Sequence, residues 1–170
     1  MARRPTTTAP HPDIDPGRLA LIASITPNLL VMLDNAGRIE WVNPSFEKHT
    51  GYRLDEVKGR FPGDVLHGPG TDPKAAKRIN QKLRQAEVIE EDILHYTKTG
   101  EPYWVHIYCV PISADQDVGQ GFIAIHNNIS DRKHSERSLR IAASVFDHSH
   151  EAILITDQSN RILDVNPAFS

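Results

Sequence analysis

Cysteine is almost missing from this chain of 170 residues: Cys109 stands alone. A disulfide framework is thereby excluded, and the place of Cys109 in the apolar run WVHIYCVPI predicts a buried thiol, in keeping with a reducing, cytoplasmic setting. No apolar run approaches the roughly 20 residues of a membrane span, and the N-terminus lacks the apolar segment of a signal peptide. An excess of charge is absent too. With 19 Lys and Arg against 22 Asp and Glu, and both signs interspersed, the formal charge of -3 offers no electrostatic case for nucleic acid or an anionic membrane. There is no nucleophile elbow, phosphate loop or metal-protease spacing, so nothing argues for catalysis by this stretch.

What the chain does have is the same stretch twice. Residues 29–46 read LLVMLDNAGRIEWVNPSF, and residues 152–169 read AILITDQSNRILDVNPAF. Asp34, Arg38, Ile39, Val42, Asn43, Pro44 and Phe46 recur as Asp157, Arg161, Ile162, Val165, Asn166, Pro167 and Phe169. A period near 120 is too long for a solenoid, so each copy is expected to be a domain with its own core. The reading is one complete domain followed by the truncated start of a second, with the natural protein continuing beyond Ser170. The second hairpin, residues 152–169, lacks further sheet partners and is expected to be disordered or to borrow a neighbouring surface.

Residues 1–15 are polar and rich in Pro and Thr, which predicts a disordered tail. Asp15-Pro16-Gly17 then opens an apolar helix over 16–25 that must pack against something. LLVMLD and RIEWVN around Asn35-Ala36-Gly37 predict a β-hairpin, and SFEKHTGY a short helix closed by Gly51. The Gly- and Pro-dense stretch 54–73 predicts loop with brief helical turns, and Asp72-Pro73 opens an amphipathic helix with Ala76, Ile79 and Leu83 on its apolar side. Three strand-like runs follow: VIEEDILHYTK, EPYWVHIYCVPIS and GQGFIAIHNNIS. The order predicts an α+β domain over 26–131 with an antiparallel sheet, then a linker helix over 132–147 and the partial copy over 148–170. Glu90, Glu91 and Asp92 read as a solvated strand edge, not paired catalytic carboxylates.

GRIEWVNPSFEKHTGY, GYRLDEVKGR, LHGPGTDP, HYTKTGEPYW and FIAIHNNISDRK, in that order, resemble the blocks of a PAS domain. The loop Gly68-Pro69-Gly70-Thr71-Asp72 is similar to that of the flavin-binding branch that includes the light-oxygen-voltage (LOV) photoreceptors. The resemblance implies a PAS fold: a five-stranded antiparallel sheet with helices enclosing a pocket on one face. It also implies departures. LOV photochemistry needs a cysteine a few residues before the Gly-Pro, and residues 60–67 contain none. The two arginine positions that hold the phosphate of flavin mononucleotide (FMN) are Asp64 and Asn80. Positions that offer amides to the flavin ring carry His67, His95 and His126, and a fourth carries Val105.

Imidazoles can replace amides as donors or acceptors, so His67, His95 and His126 are candidate cofactor contacts. Structural roles on the strands are as common for such histidines. Trp41 and Trp104 are candidates for stacking on a flavin, although core packing is the commoner use of such residues, and Asn43 is counted with them. No metal site is assigned, and haem is disfavoured because residues 74–87 carry no histidine. Flavin adenine dinucleotide (FAD) is the first choice of cofactor, with FMN or none as alternatives.

The expected function is a cytoplasmic sensor module: a cofactor or redox signal passes from the pocket, through His126 and the Asn128-Ile129-Ser130 junction, into the linker helix. The resemblance of the exit sequence points to a cyclic di-GMP synthase or phosphodiesterase as output, with a histidine kinase as runner-up. The alternative is an empty dimerisation module. A homodimer is expected through the stretch RLALIASI and the stripe from Leu139 to Phe146.

Overall fold

The computed structural model describes residues 15–112 and 120–169, and these fall into two compact units, one up to Asn128 and one from Ile129 onward. The tail predicted to be disordered lies, except for Asp15, outside the described residues. In the first unit the order is α1 (Pro16–Ile25), β1 (Leu29–Leu33), β2 (Ile39–Val42), α2 (Pro44–Thr50), α3 (Leu54–Val57), α4 (Pro62–Leu66), α5 (Pro73–Arg84), β3 (Ile89–Tyr96), β4 (Pro102–Ile112) and β5 (Gly121–Asn128). The second holds α6 (Ser130–His148), β6 (Leu154–Thr156), β7 (Ile162–Val165) and a 3₁₀ turn. The linker helix is thus longer than 132–147 by two residues before and one after.

The five strands of the first unit form one antiparallel sheet in the order β2-β1-β5-β4-β3. Alternation assigns the faces. Val31, Leu33, Ile93, Val105, Ile107, Cys109 and Ala124 are buried on one side, with Phe46, Val57 and Leu66 of the helices. Full burial of each large side chain contributes about 1.5–3 kcal/mol of transfer free energy. The opposite face leaves Trp104, Tyr108 and Ile123 more than a third exposed.

The repeated residues turn out to be hairpin hardware. Asp34 Oδ1 accepts from the backbone N–H of Ala36 (2.9 Å) and Arg38 (2.8 Å), closing the β1–β2 turn. Asp157 Oδ1 does the same for Ser159 (2.8 Å) and Arg161 (3.0 Å). That turn needs a left-handed residue, supplied by Gly37 (φ 80°) in the first copy and Asn160 (φ 59°) in the second. Register agrees as well: Val31 faces Val42 and Met32 faces Trp41, just as Leu154 faces Val165 and Ile155 faces Asp164. The second hairpin is therefore formed, contrary to the expectation of disorder. Its turn and its asparagine satisfy the backbone locally, while all seven strand residues stay exposed.

α1 has no side-chain cap bond from Asp15, and it leaves Leu21, Ile22 and Ile25 exposed. α2 ends at Gly51 with φ 76°, as predicted. α5 starts at Asp72, whose side chain accepts from Lys74 N–H. Glu91 is not a solvated edge carboxylate: β3 turns it toward α5, where Arg78 grips both its oxygens, and the hydrogen bond to Arg78 holds its pKa down. Asp92, on the other face, bonds His106 Nδ1 at 2.8 Å.

Candidate functional site

The helix-covered face of the sheet walls a cavity of about 520 Å³, closed by α4 and α5. Val31, Leu33, Ile107, Phe122 and Ala124 give it an apolar floor, and Cys109 lies within it. A mostly apolar space of that size with a few polar groups is the usual form of a small-molecule site.

His67, His95 and His126 all reach this cavity. Each arrives on a different element. His67 caps the C-terminal end of α4, His95 is near the end of β3, and His126 is near the end of β5. Their rings form a row, with centroids 5.6 Å apart from His67 to His95 and 5.6 Å from His95 to His126. In the sheet, Val105 separates Tyr103, opposite His95, from Ile107, opposite His126.

Burial fixes the protonation state of these rings. His95 is 1% exposed and His126 3%. Desolvation pushes His95 well below the usual imidazole value, and the charges that His126 and His67 would carry push the same way. Desolvation alone lowers His126 to about 4. His67 is also lowered by burial, with partial opposition from Asp64. The three are neutral at physiological pH, each offering one donor and one acceptor. Nδ1 of His95 and Nδ1 of His126 have no hydrogen-bond partner despite complete burial. Such atoms cost about 1–3 kcal/mol each when left unmet.

The remaining predicted contacts are elsewhere. Trp41 pairs with Met32 and Trp104 with Leu94 on the outer face of the sheet, and neither borders the cavity. Period-two alternation sends them away from Val31, Val42, Val105 and Ile107, which corrects the stacking role. Asn43 is buried, but its amide is fully used. Oδ1 accepts from Leu30 and Phe46 N–H, both at 3.0 Å, and Nδ2 donates to the carbonyls of Ala23 (2.9 Å) and Asn28 (3.0 Å). It has nothing left for a ligand. Asn166 repeats half of this scheme, bonding Ile153 N–H and the Glu151 carbonyl.

The loop Gly68-Pro69-Gly70-Thr71-Asp72 is sewn to β3. Thr71 Oγ1 donates to the Leu94 carbonyl (2.8 Å) and accepts from Gly68 N–H (2.9 Å), and Gly70 N–H donates to the Tyr96 hydroxyl (2.8 Å). A Cβ on Gly68 would stand 2.4 Å from the Tyr96 ring, so glycine there serves this contact. The docked loop directly follows His67 at the cavity wall.

Two residues extend the row beyond those singled out from sequence. Tyr103 meets His95 edge-on at 5.9 Å and His49 at 4.5 Å between centroids. Nε2 of His49 lies 3.4 Å from the side-chain amide nitrogen of Asn128, the last residue of β5. The Tyr103 hydroxyl is buried without a partner, and burial raises its pKa above the usual phenol range. Alternation along β4 could have placed Tyr103 inside with Val105 and Ile107. Nothing in the sequence placed His49 beside it. Among the described residues, no group of three His, Cys, Asp or Glu is arranged to hold a metal ion, and no helix is long and apolar enough to cross a membrane.

Residues 27–131 match the PAS domain family, and residues 140–170 match a PAS domain a second time. A blue-light-activated histidine kinase of Brucella anthropi is 37% identical over 89 residues, covering 51% of this chain and 17% of that protein. Protein TWIN LOV 1 of Arabidopsis thaliana is 32% identical over 103 residues, covering 60% and 26%. The chain thus spans about a quarter or less of the curated relatives it matches. Among solved structures, the LOV domain of a blue-light-activated histidine kinase from Erythrobacter litoralis is 30% identical with a TM-score of 0.56, covering 62% of this chain and 98% of that one. An RNA-binding light-oxygen-voltage receptor, 22% identical with a TM-score of 0.67 over 84% of this chain and 42% of that one, shares the fold. With its sheet order, its helix-covered pocket and a profile match over most of its length, the chain belongs to the PAS domain family and is similar to the light-oxygen-voltage members of it.

Proposed function

We propose that the first unit is a sensor domain whose cavity holds a flavin, contacted by His67, His95 and His126. One observation carries this reading: two neutral imidazoles of one sheet, on β3 and β5, line the same cavity, and each keeps a buried Nδ1 without a partner. The pyrimidine edge of a flavin presents an N–H between two carbonyls, a set of groups that neutral imidazoles can meet as donor or acceptor. A bound flavin supplies reversible redox chemistry and absorption in the blue. Around it this chain's residues would exclude water and fix the ring's edge. The adduct photochemistry of LOV proteins is left out of the proposal. The only thiol, Cys109, is buried and its pKa is pushed up to about 12, so it is a poor nucleophile.

The route outward runs along the row His126, His95, Tyr103 and His49 to Asn128, two residues before the start of α6 in the chain. A change of hydrogen bonding at His126 that favours one arrangement of this row would bias Asn128 and the helix after it. As output of the longer protein, a histidine kinase is better supported than cyclic di-GMP turnover, because the Brucella and Erythrobacter relatives are histidine kinases. The exposed Leu21, Ile22 and Ile25 on α1 support a homodimer as the working form.

The test is reconstitution. Protein stripped of small molecules is mixed with riboflavin, and quenching of flavin fluorescence is followed for wild type and for His95→Leu and His126→Leu. Saturable binding by wild type, weakened about tenfold or more in each variant, is expected from the loss of one buried hydrogen bond. A wild-type protein that binds no flavin would leave the empty interaction module as the better reading, with the exposed Trp104, Tyr108 and Ile123 as its surface.

A further inference from the structure

The interior of the cavity holds no fixed positive charge. The charged residues in its wall are Asp64 and Arg84, and both are exposed to solvent. Deeper in, the titratable groups are imidazoles and one thiol, and burial keeps the Cys109 thiol neutral. An anion arising in this space therefore finds a buried counter-charge only where an imidazole takes up a proton. Burial makes that counter-charge matter, because opposite charges attract far more strongly in a low-dielectric site than in water.

Position selects one ring of the three. Across the sheet His126 is paired with apolar residues, Leu29 on β1 and Ile107 on β4. The imidazole beside it is His95, with ring centroids 5.6 Å apart, and Tyr103 and His49 stand beyond His95 in the row. Two rings so close and so buried resist carrying two charges, so the pair takes one proton. His95 has an imidazole on either side of it, His67 and His126, whereas His126 ends the row. The charge is therefore less opposed on His126. No protein group holds its Nδ1, so a change of protonation breaks no hydrogen bond at that atom.

We propose that His126 is the proton acceptor of the cavity: reduction of the bound ring brings one proton onto His126, and an imidazolium on β5 then faces an anionic reduced flavin. The proposal rests on the flavin reading and adds the event that turns a redox change into a change of the protein. The step balances. An external two-electron reductant, of the dithionite or reduced-nicotinamide class, supplies the electrons, and water supplies two protons. One proton goes to the ring and one to His126, so the cavity gains no net charge. Oxidation returns both groups to the neutral state. The charge on β5, two residues before Asn128, thus reports the redox state of the cavity.

The experiment loads stripped protein with saturating riboflavin and titrates it with dithionite between about pH 8 and about pH 6, in wild type and in His126→Gln. Glutamine keeps a donor and an acceptor but cannot be charged. As pH falls, the preference for reduced over oxidised riboflavin should grow about tenfold more per pH unit in wild type than in the variant. In wild type carrying isotope-labelled histidine, magnetic resonance should show His126 passing from neutral to doubly protonated on reduction, with His95 staying neutral. Circular dichroism checks the fold of His126→Gln, and the resonance measurement decides without it. Parallel pH dependence in the two folded proteins, or a His126 that stays neutral after reduction, overturns the proposal. A proton found on His95 overturns the choice of ring. A wild type that binds no riboflavin overturns the flavin reading and this proposal with it, and is recognised at loading, before any reduction.

Discussion

Replacing His126 by Leu should flatten the acid limb of this domain's stability. In the folded protein the His126 imidazole sits near a pKa of about 4, against 6.5 when exposed, because burial opposes its charge. Between those values the unfolded chain binds a proton that the folded chain refuses, so stability falls as pH drops from about 6.5 toward 4 and is unaffected by this group above that window. The full loss is about 3 kcal/mol, and the part between pH 7 and pH 5 is about 2 kcal/mol. Against a total of about 5–15 kcal/mol for a domain, this is a large fraction. His95 titrates in the same direction and adds to the wild-type slope. The comparison that isolates His126 is urea denaturation of stripped protein at pH 7 and pH 5, for wild type and His126→Leu. The wild-type midpoint should fall by about 1 M more than the variant's, for a urea slope of about 1–3 kcal/mol/M. At pH 7 the variant should be no less stable, since it also removes an unpartnered Nδ1. Equal falls in the two proteins would refute the claim that a buried neutral imidazole controls this limb.

Asn43→Ala should cost about 2–4 kcal/mol in denaturant unfolding, because it removes four side-chain hydrogen bonds at once, although Phe46 N–H keeps the backbone carbonyl of residue 43. A loss under 1 kcal/mol would mean that water or a neighbour takes over the amide's work. Cys109 should be silent toward a thiol reagent at pH 8 and react in full once urea unfolds the domain. Rapid labelling of the folded protein would show that the cavity opens to solvent.

The fold was readable because its signals are local. Hairpin, Gly51 stop, Asp72 start and strand alternation all lie within a few residues of the structure they specify. The site was readable only in part. His67, His95 and His126 stand out as imidazoles where the resemblance implies amides, and α4, β3 and β5 bring all three to one cavity. Trp41 and Trp104 were misread for want of facing: residue type announces a large aromatic, but register decides which side it takes. Asn43 was misread differently. Recurrence with Asn166 marked it as important, and the importance is backbone satisfaction at a strand-to-helix corner. The meeting of His49 with Tyr103 joins elements far apart in sequence, which no local pattern encodes.

The matched hairpins raise a question of assembly. β1–β2 and β6–β7 share register, turn geometry and the asparagine that ties strand to corner, so in the language of backbone pairing they are interchangeable. During synthesis β5 must choose its neighbour, and two equivalent candidates are available once the second copy emerges. Side chains settle the choice. Leu29, Val31 and Leu33 are buried on the cavity side of β1, opposite His126, Ala124 and Phe122, whereas the exposed Thr156 of β6 aligns with Leu33 in the repeat. Exchange of the second hairpin into the first sheet would thus set a hydroxyl against Phe122 and weaken the cavity floor. A tandem array built on one hairpin design avoids swapped products through such small differences, and a substitution that made the copies more alike would erode that protection.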